Sequence, residues 1–144
     1  MTKGINSFID DATKLADVQT NDKYQAGICN IGHEERERRK TYGLMGAILA
    51  TGWPFICYIF VFPLGFKLLV FFPAFAAVIG LWQYRKQYCA FYGITGKNNF
   101  GKLGEAINIE NIKQREIDKQ KSIRMILISF AITFVYTLLA SILL

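Results

Sequence analysis

The sequence predicts an all-α membrane protein with three transmembrane helices. Two observations lead there. Residues 44–62, 68–84 and 125–144 are apolar runs close to the roughly 20 residues a helix needs to cross a bilayer. Sixteen of the 17 Lys and Arg residues also fall on one side of those runs, as do all 11 acidic residues; Lys67, between the first two runs, is the exception. Basic residues beside spanning helices stay in the cytoplasm or its equivalent, so the expected orientation is N-terminus in and C-terminus out. The expected location is an inner or cytoplasmic membrane.

A hydrophobic share of 52% fits that class, and no secretory signal precedes the first run. The net charge of +6 hugs the membrane and has no groove-reading motif beside it. Membrane lipids are therefore the expected partners of this charge, and no nucleic acid is expected. Three organisational units follow: a cytosolic helix and loop (1–33), a kinked transmembrane hairpin with an inner loop (34–101), and a charged helix entering the third span (102–144).

The first element is an N-terminal amphipathic helix. Ile5, Phe8, Ile9, Ala12, Leu15 and Ala16 recur at helical spacing, opposite Asp10, Asp11, Lys14 and Asp17. An acidic polar face suits docking on protein better than on a membrane surface. The basic run Lys113, Arg115, Lys119, Lys121 and Arg124 is its expected counterpart. Residues 19–32 read as a loop, and residues 34–40 (EERERRK) as a solvated first helical turn.

The first span opens on small residues. Gly43, Gly46, Ala47 and Ala50 permit close approach of a neighbouring helix. Pro54 cannot donate to the Ala50 carbonyl and predicts a kink; Pro73 repeats the device in the second span, freeing the Leu69 carbonyl. The five residues from Pro63 to Lys67 predict a tight outer turn. Trp82, Tyr84 and Tyr88 read as an aromatic belt at the inner interface.

Residues 89–101 read as a second inner loop. From Lys102 the pattern predicts a charged helix running unbroken into the last span, because no Pro or Gly occurs in residues 105–144. In that span Ser129, Thr133, Thr137 and Ser141 lie four residues apart on one face, a seam for close packing or interhelical hydrogen bonds.

Chemistry-bearing motifs are few. No charged residue lies inside a span, which counts against a transporter or pump. No nucleotide-binding, zinc-protease or nucleophile-elbow motif is present, so no catalytic residue and no cofactor is assigned. Cys29, His33 and Cys89 share the inner side and are the candidate metal ligands, or a reactive thiol beside a base. Three ligands fall one short of a closed zinc site.

Cys29-Asn30-Ile31-Gly32, followed by Glu35-Arg36 and Arg39 ahead of a glycine-opened span, resembles a known group, with Cys89-Ala90-Phe91-Tyr92-Gly93 as the exit. The group is the small two-pass inner-membrane proteins related to those fused to rhodanese domains. The likeness covers about residues 29–95. It lacks the proline usual after the exit cysteine, and this chain adds a charged helix and a third span. It implies topology and no general activity. The leading expectation is a non-catalytic accessory or scaffolding subunit, packed against other membrane subunits or its own copies. A thiol- or metal-handling protein and a small oligomeric pore are the alternatives.

Overall fold

A computed structural model describes residues 24–143. The N-terminal amphipathic helix and its expected docking through Asp10, Asp11 and Asp17 lie outside the described residues.

Helix α1 (His33–Ile59) leads into a turn and a short helix α2 (Leu64–Leu68), then α3 (Phe71–Lys86). A six-residue helix α4 (Ala90–Thr95) follows, then β1 (Lys97–Asn98), β2 (Ile107–Asn108) and α5 (Ile112–Leu143). The two strands pair antiparallel, Lys97 opposite Asn108 and Asn98 opposite Ile107. Three helical segments are long and apolar enough to span a membrane: His33–Ile59, Leu64–Lys86 and Ile112–Leu143. The three-span membrane fold is therefore present, and the short connections join its elements into a cap at one end.

Spans one and two meet through absent side chains. A Cβ on Gly46 would lie 2.6 Å from the Pro73 carbonyl oxygen and 2.7 Å from the Ala77 nitrogen. One on Gly80 would lie 3.0 Å from the Gly43 Cα. Both backbones thus approach until only hydrogen fits between them, as small-residue interfaces allow in lipid. Ala50, Val70 and Ala74 continue the contact, with Trp53 packed against them. Ala47 is only half-buried and sits beside the crossing.

Several boundaries differ from the sequence reading. The outer turn ends at Pro63, and residues 64–68 are helical. The hairpin's second arm breaks between α2 and α3, at Leu69 and Val70. Pro73 consequently occupies the first turn of α3, where its missing N–H would have lacked a helical partner anyway. The Leu69 carbonyl accepts from the Phe72 N–H at 3.3 Å instead of standing free. Pro54 does lie inside α1.

The stretch 89–101 is not simply a loop: it holds α4 and β1. The long helix begins at Ile112, not Lys102. Asn111 starts it: its Oδ1 accepts from the Lys113 N–H at 3.0 Å and the Gln114 N–H at 3.4 Å, the bonds an N-cap makes. Gly104 upstream has φ of 88°, in the left-handed region.

Candidate functional site

The polar side chains that carry structure gather at the cap, around two carboxylates. Asp118, one turn and a half into α5, is fully buried. Its Oδ2 accepts from the Tyr24 hydroxyl at 2.6 Å and its Oδ1 from the Gly27 N–H at 2.7 Å. Gly27 has φ of 69°, which turns that N–H toward the helix at little steric cost. Its carbonyl accepts from Lys121 Nζ at 2.5 Å. One turn of α5 therefore grips both sides of a single peptide segment.

Behind it, the Tyr88 hydroxyl donates to the Asp118 carbonyl at 2.7 Å and lies 3.0 Å from Ser122 Oγ. The Lys121 ammonium sits 4.2 Å from the Tyr88 ring centroid. Gly93 of α4 fits against Ser122 and Tyr88 where no side chain would. Tyr88 is completely buried, so it is a bolt between the α3–α4 connection and α5 and not part of an interfacial belt.

Glu35 forms the second centre. It is 1% exposed, contrary to a solvated first turn. Its Oε1 accepts from the Tyr92 hydroxyl at 3.0 Å and Asn99 Nδ2 at 3.4 Å, and its Oε2 faces Arg39 Nη2 at 3.4 Å. The same guanidinium nitrogen reaches Cys89 Sγ at 3.2 Å. A buried carboxylate with one cation and two neutral donors is compensated.

Asn30 stitches the segments together. Its carboxamide copies a strand edge: Nδ2 donates to the Cys89 carbonyl at 3.0 Å, and Oδ1 accepts from the Cys89 N–H at 2.6 Å. Its own carbonyl accepts from the Asn99 N–H at 2.9 Å, and the Gly32 N–H donates to the Asn99 carbonyl at 2.7 Å.

Burial, reinforced by the hydrogen bond to Asp118, raises the Tyr24 pKa well above the ordinary tyrosine value. Burial likewise pushes Tyr88 up, with the Asp118 charge adding to it. Tyr92 is raised by burial and by Glu35. All three hydroxyls are held as donors, which is what their partners need.

The candidate metal ligands do not converge. Cys29 and His33 line one cleft with Arg36 and Gln87. Cys89 is 1% exposed and packs with Ile31 and Tyr92, its sulfur turned to Arg39. Among the described residues no group of three or more His, Cys, Asp or Glu is placed to hold a metal ion.

The hydroxyl face of α5 is buried as a packing seam. Ser129 and Thr133 are fully buried and Thr137 nearly so, while Ser141 is half-buried near the end. Thr133 Oγ1 donates back to the Ser129 carbonyl at 2.8 Å, and the hydroxyls of Ser129, Thr137 and Ser141 have no partner among the described residues. The seam works by small size, not by hydrogen bonds across helices.

The sequence reading assigns no buried role to Asn30, Glu35, Asn99 or Asp118. Asp118 had a signal: extending the Ser129–Thr133–Thr137 face backwards reaches Met125, Ser122 and Asp118, and all of these are buried.

No family model, curated protein or solved structure matches this chain.

Proposed function

We propose that this protein is a non-catalytic membrane subunit, an accessory or scaffold that attaches to a larger membrane assembly. The observation that carries the reading is apolar surface at the cap end, outside the apolar runs of the spans: Ile28, Leu103 and Ile112, the last at the very start of α5, are 61%, 51% and 79% exposed. Lipid accounts for exposed apolar side chains along spans, but these three flank the polar cap. A partner surface suits them better than water does. The buried polar groups support the same reading, since Asp118, Glu35 and Asn30 are engaged in holding segments together.

The cap faces the cytoplasm in this proposal, because the basic residues cluster at that end. Single cysteines in place of Lys67 and Lys102 test the orientation: an impermeant reagent added outside intact cells reacts at the first and not at the second. Reaction at both overturns the orientation. Purification from native membranes in mild detergent tests the function. A membrane partner co-elutes in fixed ratio, and Ile112→Asp lowers its recovery severalfold while the variant still inserts. Elution of the wild-type chain without a stoichiometric partner overturns the reading.

A further inference from the structure

Toward the cap end of the bundle, side chains of α1, α3 and α5 line an open groove of about 620 Å³. Its floor and walls are apolar: Leu44 from α1, Val78 and Leu81 from α3, Ile132 from α5. Its mouth is cationic, with Lys40 on one wall and Arg85 at the end of α3. The charge and the apolar floor meet end to end, the pattern of an amphiphile whose anion and chain are joined at one point. Val78 and Arg85 are seven residues apart, roughly 10 Å along the helix, so the floor reaches from headgroup depth into the upper acyl region.

The charges around the mouth do not cancel. Arg36 lies 4.6 Å from the Tyr84 ring centroid and Lys40 lies 5.4 Å from it. Arg85 lies in the last turn of α3. Against these three cations stands Glu37, 3.4 Å from Lys40 Nζ. The Lys40 and Glu37 side chains are 42% and 43% exposed, so their pair is weak and leaves the ammonium able to take a stronger anion. Arg36 is already occupied by the Tyr84 carbonyl at 3.1 Å.

We propose that this groove binds one anionic glycerophospholipid, its phosphate on Lys40 and Arg85 and one acyl chain along Leu44, Val78, Leu81 and Ile132. The site goes beyond a scaffolding role and does not depend on it.

Trp82 lines the groove and reports its occupancy. The chain has two tryptophans, so Trp53→Phe leaves Trp82 as the sole tryptophan, excited selectively at the red edge beyond tyrosine absorption. That variant, full-length in phosphatidylcholine vesicles, receives acyl-brominated phosphatidylglycerol or, in parallel, acyl-brominated phosphatidylcholine. Quenching favours the anionic lipid by roughly fivefold or more in apparent affinity. Lys40→Gln with Arg85→Gln brings the preference close to one while quenching by brominated phosphatidylcholine persists, which shows a folded, inserted chain. Lys86→Gln, outside the groove, leaves the preference in place. Equal quenching by the two lipids overturns the proposal, as does a Lys86→Gln effect as large as that of the double variant, which means surface attraction without a site. Mass spectrometry of the wild-type chain released from mixed vesicles repeats the test without touching Trp53. Retained phosphatidylglycerol in excess supports the site, and retention in proportion to the mixture overturns it.

Discussion

The Tyr136 hydroxyl of α5 donates to the Ala50 carbonyl of α1 at 2.8 Å, and that carbonyl is the one Pro54 leaves without its helical N–H. A backbone oxygen freed at membrane depth is costly, and neighbouring helices commonly supply the missing donor. Here the donor comes from the third span, so the proline of the first span specifies where the third one docks. Tyr136→Phe is expected to destabilise the bundle by about 1 kcal/mol. Pro54→Ala restores the N–H, and in that background the same substitution costs clearly less. A double-mutant cycle read by unfolding in mixed detergent checks this; equal cost in both backgrounds contradicts the coupling.

Asp118 holds Tyr24 and the Gly27 amide at once. Asp118→Ala strands both donors and is expected to cost the cap about 3 kcal/mol. Tyr24→Phe removes one bond, leaves the amide's, and costs about half as much. Hydrogen exchange at the Gly27 amide separates them: fast in the first variant, still slowed in the second. A protected Gly27 amide in Asp118→Ala means that the segment is held by something else.

The three spans were legible because lipid imposes one requirement on all of them, a long apolar run, and the basic residues avoid it. The small residues at Gly43, Gly46 and Ala50 were legible for a related reason: close approach needs the absence of a side chain, which a sequence displays directly. The cap was not. Glu35 and Asp118 look like solvated helix charges, and only partners 57, 64, 91 and 94 residues away make them buried ones. The start of α5 carries no Pro or Gly to mark it in the sequence; Asn111 sets it through its side chain. Cys29 and Cys89 do share an end of the bundle, but sharing an end fixes no side-chain direction.

The cap is expected to weaken in alkali. Tyr24, Tyr88 and Tyr92 all bind their protons more tightly folded than unfolded. Between the unfolded value, about 10, and the higher folded values, the native state holds more protons, so stability falls as pH rises. The contribution is fully present below about pH 10 and is lost above it. Unfolding at stepped pH, followed by near-ultraviolet circular dichroism, shows the decline. Tyr24→Phe flattens it; an unchanged slope in that variant removes Tyr24 from the account.

Two glycines of one helix are expected to answer the same substitution with opposite signs. Gly46 is pressed against backbone: a Cβ there meets the Pro73 carbonyl oxygen and the Ala77 nitrogen, neither of which moves without its helix. Gly46→Ala must push α1 and α3 apart, opening the contact around Ala50 and Ala74, and overpacking of this kind costs about 1–3 kcal/mol. Gly52, less than two turns further along α1, has nothing within 4 Å of a Cβ. Gly52→Ala therefore gains helix propensity alone, about 0.5–1 kcal/mol. Detergent unfolding of the two variants beside wild type gives both signs in one measurement. Loss of stability at both positions means that glycine in α1 is needed for its own flexibility, and the close crossing at Gly46 is not what holds the hairpin.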